Sequence, residues 1–366
     1  MEKSYPTGAT SGIETTRVKL PKNQKLFNDL RQMIDKVRVS VAVAVNIELT
    51  MLYWKIGKRI NTEILKEKRA EYGKEILPTL SAKLTSMYGV GFKERNLARM
   101  IKFYECFQNE KIVVTLSRQL SWSHFVEIIP IKEPLAREFY AEMCRVERWS
   151  VRTLRKKIDS MLFERTALSK KPEALARMEL STLREDDKLT PDLVFRDPYF
   201  LDFLGLKGAY QEKDLESAIL REIESFIMEL GVGFSFVARQ KRITIDNDDF
   251  YIDLLFYHRK LKRLVVIDLK LGKFKAAYKG QMELYLRWLE KYETEPGEQP
   301  PLGLILCAEG SRGQVELLKL DKSGIHVAEY LTALPSKKLL QTKLRKAISL
   351  AKGRLEHQNL DKGKNG

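Results

Sequence analysis

The stretch DFYIDLLFYHRKLKRLVVIDLK, residues 249–270, decides the fold of the C-terminal half of the chain. Two runs rich in β-branched and aromatic residues flank a short basic turn, a pattern that predicts a β-hairpin. If the hairpin is symmetric about the Lys260–Leu261 bond, Asp253 lies directly opposite Asp268. The sequence therefore predicts two carboxylates facing each other across neighbouring strands.

The opposite face of this hairpin is apolar at every position, so we expect that face to be core. Its residues are Ile252, Leu254, Phe256, Val265, Ile267 and Leu269. Burying two unpaired aspartates in such strands would cost several kcal/mol, and a bound divalent cation would relieve that cost. Hard oxygen ligands without His or Cys suit Mg²⁺ or Mn²⁺. Lys270 shares the face of Asp268 because side chains alternate along a strand.

A plainer interpretation stays open from the spacing alone. The two aspartates could be solvated on an exposed sheet face, with Lys270 as an ion-pair partner. The turn lacks an Asn-Gly pair, so the register is an assumption at this point.

Outward from the hairpin, the pattern predicts alternating helices and strands from residue 196 to residue 355. The predicted order is helix 212–230, strands 233–245, 249–258 and 262–270, helix 276–292, strands 302–308 and 325–330, and a basic helix 336–355. We expect residues 356–366 to be a disordered basic tail.

Residues 24–172 are predicted to be a helical domain, because apolar residues recur at helical spacing. The predicted helices are 27–66, 74–87, 93–107, 121–129, 133–146 and 149–164. A glycine-containing turn at 88–92 separates the second helix from the third and predicts a helix-turn-helix or winged-helix-like unit. Residues 1–23 are predicted to be disordered, and residues 173–195 to be a linker.

The charge of the chain is strongly basic, at +16 from 65 Lys and Arg against 49 Asp and Glu. By region, residues 1–190 carry +12, residues 191–335 carry −3, and residues 336–366 carry +7. Basic surface of this kind attracts polyanions such as nucleic acid. Three widely separated cysteines have no metal-ligand spacing and indicate a reducing compartment, for which we expect the cytoplasm. No signal peptide or membrane-spanning run is expected.

The aspartate pair and the lysine resemble the signature of the PD-(D/E)XK nucleases. In that resemblance Asp253 is the first acid, Asp268 the second acid and Lys270 the lysine. Gln281 and Tyr285 match the QxxxY motif of the RecB-like branch, in which an acid on the first helix, here Glu216, often supplies a further metal ligand. The resemblance implies a restriction-endonuclease-like αβββαβ domain that hydrolyses phosphodiester bonds with Mg²⁺ or Mn²⁺.

The chain as a whole resembles the YhcG-type family, in which such a domain follows an uncharacterised helical domain. The segments that carry the likeness are ELTMLYWKIGKRI (48–60), YGVGFKERNLARMIKFY (88–104), QLSWSHF (119–125), RWSVRTLRKKIDSMLFER (148–165), DPYFLDFLGL (197–206), LESAI (215–219), ELGVGFSFVARQKR (229–242), 249–270 and GQMELYL (280–286). Relatives usually carry Glu where this chain has Asp268, which is one methylene shorter. The resemblance implies a nuclease acting on nucleic acid, most naturally DNA; the alternative is a nuclease fold that binds or assembles without turnover.

Several basic and polar residues are candidate nucleic-acid contacts. They are Arg95, Asn96, Arg99 and Lys102 on the second helix of the predicted helix-turn-helix, Arg152, Arg155 and Lys156 on a basic helix, and Arg239 and Gln240 at the end of a strand. Arg and Asn suit base edges and phosphates. Each group has an ordinary alternative, either a solvated helix face or a strand-end ion pair. His258 is expected on the surface at the turn, and the oligomeric state stays open between a monomer and a homo-oligomer.

Overall fold

The computed structural model describes residues 24–66, 70–206, 208–309, 312–318 and 320–363. The prediction of disorder for residues 1–23 falls outside these ranges, and so do the last three residues of the predicted tail. The remainder of that tail is helical, because the C-terminal helix continues to Gly363.

The first half of the chain is helical, as predicted. Its helices are α1 (Gln24–Lys66), α2 (Ala70–Tyr88), α3 (Glu94–Cys106), α4 (Glu110–Ser117), α5 (Trp122–Ile128), α6 (Pro134–Glu147), α7 (Val151–Asp159), α8 (Leu162–Arg165), α9 (Glu173–Asp186) and α10 (Pro191–Val194). The single helix predicted over 149–164 is two helices, because Met161 adopts a φ of 53° between them. Helix α4, which periodicity did not predict, begins where the Asn109 side chain accepts hydrogen bonds from Lys111 N and Ile112 N.

The segment predicted as a linker, 173–195, is instead folded against the helical region. Helix α9 buries Ala176, Leu180 and Leu183, which are spaced four and three residues apart and so share one face. On its polar side, Arg184 Nε donates to Glu142 Oε1 of α6 at 2.6 Å. Leu175 and Met178 of the same helix are exposed, so its apolar residues do not all lie on the buried face, and tertiary packing decides which of them are buried.

The second half of the chain forms a six-stranded sheet with helices on both faces. The strands are β1 (Tyr199–Phe200), β2 (Phe234–Ile245), β3 (Asp248–His258), β4 (Arg263–Lys273), β5 (Leu302–Glu309) and β6 (Ile325–Leu331), in the order β1-β6-β5-β4-β3-β2. The helices are α11 (Glu212–Arg221), α12 (Ile223–Leu230), α13 (Ala277–Tyr292), α14 (Arg312–Leu317) and α15 (Lys337–Gly363). The β2–β3 and β3–β4 pairs are antiparallel, and the β4–β5, β5–β6 and β1–β6 pairs are parallel. The predicted α-β-β-β-α-β-β elements occur in the predicted order. The two-residue β1 and the short helix α14 between β5 and β6 were not predicted, and the helix predicted over 212–230 is split in two.

Both faces of the sheet are buried, although only one face was expected to be core. Leu254 and Phe256 belong to a core that extends continuously into the helical region as far as Trp54. Leu255 and Ile252 pack in a second core beneath α13. Ile252 was expected on the Leu254 face, so the regular alternation of β3 is interrupted between these two residues, at Asp253.

Helix α1 does not follow the expectation that no stretch is apolar enough to span a membrane. By length and composition alone, the stretch Gln24–Glu63 could cross a membrane, and it is the one helix among the described residues that meets this criterion. Its C-terminal half packs into the protein, where Met51 and Trp54 are buried.

Candidate active site

The hairpin has the predicted register. The β3–β4 pairs run from His258 opposite Arg263 to Leu254 opposite Ile267, as symmetry about the Lys260–Leu261 bond requires. Backbone pairing ends there, immediately before the two aspartates. The half-buried Asp253 instead reaches across with its side chain, and its Oδ2 accepts a hydrogen bond from the Leu269 N–H at 2.9 Å.

Asp268 is the most deeply buried acid of the site, with 3% of its surface exposed. The Lys270 ammonium lies 3.1 Å from its Oδ1 and 3.0 Å from its Oδ2. Burial raises the pKa of Asp268 to about 7; the adjacent Asp253 adds to the rise, and Lys270 opposes it. Burial also acts to lower the pKa of Lys270, but the negative charge of Asp268 outweighs it and the pKa of Lys270 is raised. Asp268 is therefore buried and not solvated, whereas Asp253 is half-buried. The ion pair with Lys270 that the plainer interpretation included is present.

Gln240 joins two of the acids. It adopts a φ of 42° between the pairs Arg239–Leu254 and Lys241–Ile252, which places it opposite Asp253. Its Nε2 donates to Glu216 Oε2 at 2.8 Å and to Asp253 Oδ1 at 3.2 Å. Sequence reasoning treated Gln240 as a nucleic-acid contact and did not predict this link between two carboxylates.

Glu216 approaches the hairpin from α11, and its side chain is largely buried. Burial raises its pKa, and the charge of Asp253 raises it further while the Gln240 hydrogen bond opposes the rise. Its Oε1 has no hydrogen-bond partner among the described residues. Arg239 Nε is 3.7 Å from that oxygen, which is an ion-pair distance but too long for a hydrogen bond.

Gln281 and Tyr285 meet on one face of α13, as their spacing predicts. Gln281 Nε2 donates to the Tyr285 hydroxyl at 2.7 Å, and that hydroxyl donates to the carbonyl of Tyr251 at 3.0 Å. Tyr285 is only 1% exposed, whereas Gln281 is exposed. The pair therefore ties α13 to the strand that carries Asp253, and Gln281 is its solvent-facing member.

The donor set of this site fits a hard divalent cation, with two interacting carboxylates on the hairpin and an unsatisfied oxygen on Glu216. However, within the described ranges no group of three His, Cys, Asp or Glu side chains is arranged to hold a metal ion. Asp268 is paired with Lys270, and Glu216 reaches Asp253 through Gln240. The chemistry of these donors fits the cation, and in this arrangement their carboxylates bind Lys270 and Gln240.

Most of the α3 side chains that were predicted to contact nucleic acid make hydrogen bonds or ion pairs with nearby residues. Asn96 Nδ2 donates to the carbonyl of Gly91 at 3.2 Å, and its Oδ1 accepts from Arg99 at 3.2 Å. Lys102 pairs with Glu105 at 3.0 Å, while Arg95 is exposed. Asn96 thus caps the turn before α3 and is not presented as a free base-reading side chain.

On α7, Arg155 pairs with Glu127 of α5 at 2.6 Å, and Arg152 and Lys156 are exposed. These residues lie on the outer surface of α7, whose Leu154 is buried. The structure therefore does not bring the basic residues of α7 into the acid cluster.

His258 was expected on the surface, and that expectation is wrong. It is fully buried, and its Nδ1 accepts a hydrogen bond from the Leu261 N–H at 3.1 Å. Burial lowers its pKa to about 4. It closes the hairpin turn from inside and does not contact the acids, so it acts as a structural residue.

Comparison with known proteins identifies the family to which the chain belongs. Residues 192–345 match the model of the YhcG PDDEXK nuclease domain, and residues 29–165 match the DUF1016 N-terminal domain. The second half of the chain is thus a nuclease domain of the PD-(D/E)XK class by family and fold. A protein of Escherichia coli (strain K12) named "Putative nuclease YhcG" is 34% identical over 353 residues, covering 88% of this chain and 93% of the relative. The chain belongs to the YhcG family.

Solved structures are similar to smaller parts of the chain. A repair endonuclease from Pyrococcus abyssi matches with 24% identity over 34% of this chain, at a TM-score of 0.25. The EndoMS–dsDNA2 complex matches with 19% identity over 36% of this chain, at a TM-score of 0.26. In both cases the match spans about half of the solved chain, at 49%.

Proposed function

We propose that this protein is a metal-dependent nuclease that hydrolyses phosphodiester bonds of DNA in the cytoplasm. The observation that carries the proposal is the meeting of Asp253, Asp268 and Lys270 where β3 and β4 part, with Lys270 held against Asp268 at 3.0 Å. The family match over residues 192–345 supports the class of reaction.

Side-chain and backbone oxygens of the chain would be the ligands of the divalent cation. Asp253 and Asp268 would hold Mg²⁺ or Mn²⁺. Glu216 Oε1, which accepts no hydrogen bond from the described residues, and the backbone carbonyl of Leu269 would be further donors. A bound divalent cation polarises the scissile phosphate and lowers the pKa of the attacking water. Burial raises the pKa of Asp268, and a cation held by the two aspartates would act against that rise.

The ammonium group of Lys270 determines what this residue would do in the reaction. An ammonium has no lone pair to offer a metal, so it is not a ligand. It lies within the site beside Asp268 and 5.3 Å above the Tyr278 ring, and so it is positioned by contacts on two sides. There it would stabilise the negative charge that develops on the phosphoryl oxygens, or orient the attacking water.

The substrate assignment rests on charge and on the residues around the acids. Residues 1–190 carry a net charge of +12, which attracts a polyanion without reading its sequence. Exposed Arg95, Arg152 and Lys156 are available to phosphates. Gln281 would contact the DNA strand that is cut. Its partner Tyr285 holds α13 in place.

Cleavage of end-labelled duplex and single-stranded DNA in Mn²⁺ tests the proposal. We expect cleavage by the full chain, loss of cleavage on EDTA addition, and loss in Asp253→Asn. Asp249→Asn is the matched control, because Asp249 lies on the same strand but is exposed and pairs with Arg242 at 2.8 Å.

Metal binding is measured separately by thermal melting. Mn²⁺ should raise the melting temperature of the full chain by mass action, and much less in Asp253→Ala/Asp268→Ala. An equal shift in both proteins, or cleavage that persists in Asp253→Asn, would show that this cluster is not the active site.

A further inference from the structure

The N-terminal half of α1 lies outside the packed core. Every residue from 25 to 42 is exposed, so among the described residues nothing covers this stretch. Packing begins at Asn46, whose Nδ2 donates to the carbonyls of Ser117 at 2.7 Å and Leu120 at 2.9 Å. Beyond it, Met51 and Trp54 are buried.

This exposed stretch carries a regular apolar seam. The seam residues alternate three and four residues apart along the chain: Phe27, Leu30, Ile34, Val37, Val41 and Ala44. The first five are 59%, 49%, 52%, 59% and 55% exposed. This 3.5-residue period is that of a two-stranded left-handed coiled coil, with Phe27, Ile34 and Val41 at the a positions and the others at d.

The exposed stretch of α1 has little stability as an isolated helix in water, because most helical stability in proteins comes from packing an apolar face. An uncovered seam of large side chains marks an interaction site. The occupant must therefore be another helix or an apolar surface. Residues 1–23 contain no apolar series at the same spacing, so the chain's own N-terminal segment does not match the seam.

The charges beside the seam favour a second copy of the same helix in parallel. The e positions are Arg31, Arg38 and Val45, whereas the g positions are Leu26, Met33 and Ser40. In a parallel pair each e position faces a g position of the other helix, so arginine stems lie on apolar side chains. An antiparallel pair would bring the arginines of the two helices together. β-Branched residues at two of the three a positions also favour two strands.

We propose that residues 26–45 of α1 form a parallel two-stranded coiled coil with the same segment of a second copy, making the protein a homodimer. The seam is about 30 Å long at 1.5 Å per residue. The isologous contact closes on itself, as two-fold symmetry requires.

Sedimentation equilibrium of the full chain tests the proposal directly. The mass of one chain is 42.5 kDa, and we expect twice that mass at micromolar concentration. Ile34→Glu/Val37→Glu places charges in the seam and should give the single-chain mass. The matched control is Gln32→Glu/Val39→Glu, which adds two acidic residues on the outer face of the same helix and should leave the dimer intact.

Folding of each variant is checked by circular dichroism and by the melting of the packed core, which α1 enters only after residue 45. If both double variants dissociate, or neither does, the seam is not the interface. A single-chain mass for the unmodified protein at all concentrations also overturns the proposal.

The parallel arrangement has its own test. Leu30→Cys should form an interchain disulfide with oxidised glutathione as the oxidant, because equivalent d positions adjoin in a parallel pair. In an antiparallel pair residue 30 would instead lie beside residue 41, about 16 Å from its copy. Gln32→Cys is the outward-facing control. Binding of the full chain to anionic vesicles that Ile34→Glu/Val37→Glu abolishes, with no dimer in solution, would assign the seam to a membrane surface and reject the proposal.

Discussion

Lys270 Nζ lies 3.0 Å from Asp268 Oδ2, so the lysine and the second acid of the nuclease signature form a buried ion pair on one strand. The two residues are separated by Leu269, whose side chain points into the opposite core and whose N–H binds Asp253. Lys270 therefore provides a positive charge beside the buried Asp268 carboxylate.

Replacement of Lys270 by Met should slow the chemical step far more than it weakens DNA binding. The ammonium acts on charge that develops in the transition state, and losing one such group typically costs about 10²–10³ in rate. Single-turnover cleavage in Mn²⁺ measures the rate, and a gel shift in Ca²⁺ measures binding. Lys273→Met, at an exposed residue that pairs with Glu309, is the control. Unchanged cleavage in Lys270→Met would remove the lysine from the active site.

Gln240→Ala should weaken Mn²⁺ binding roughly 10-fold or more, because outer groups that orient metal ligands commonly contribute 10–100-fold. Without the amide, the Glu216 and Asp253 carboxylates lose the hydrogen bonds that hold them 2.8 Å and 3.2 Å from one nitrogen. Isothermal titration with Mn²⁺ gives the affinity without reference to cleavage. Lys241→Ala, the next residue on the strand, should have no such effect because Lys241 pairs with Glu293.

Gly57→Ala should destabilise the helical region by about 1–3 kcal/mol, the usual cost of overpacking. A Cβ on Gly57 would overlap the backbone carbonyl of Met100, so α1 and α3 would have to separate. Gly353→Ala in α15 is the contrasting change, since a Cβ there meets nothing within 4 Å. It should stabilise by up to about 1 kcal/mol through helix propensity. Urea unfolding of both variants measures the difference, and equal effects would contradict the close helix contact.

Stability should fall as the pH drops from about 6.5 towards 4, in part because of His258. Burial lowers the pKa of His258 to about 4, so the unfolded chain takes up a proton in this window while the folded protein does not. The loss attributable to this residue is at most about 3 kcal/mol at 1.36 kcal/mol per pKa unit. His258→Asn should be less stable at neutral pH but show a shallower pH dependence in urea unfolding between pH 7 and 5. His124, whose pKa burial also lowers, titrates in both proteins and so cancels in the comparison. An identical slope in both proteins would mean that His258 is already protonated in the fold.

The local pattern of residues was enough to predict those elements that are determined by a few neighbouring residues. Alternation in β3 and β4, together with a short turn, was enough to predict the register that places Asp253 beside Asp268, because a hairpin is closed by neighbouring residues. The four-residue spacing of Gln281 and Tyr285 likewise predicted their contact on α13. The long helices of the first half followed from their apolar period.

What the sequence determined by itself is therefore the hairpin, its pair of acids with Lys270, and the basic helical region before it. Tertiary structure alone decided that Gln240 bridges Glu216 and Asp253, since α11 must pack against the β2–β3 pair for both bonds to form. It also decided that His258 is buried, that residues 173–186 pack as a helix, and that none of the described residues covers the start of α1. Burial depends on which surfaces the rest of the chain brings together, and no local pattern of residues contains that information.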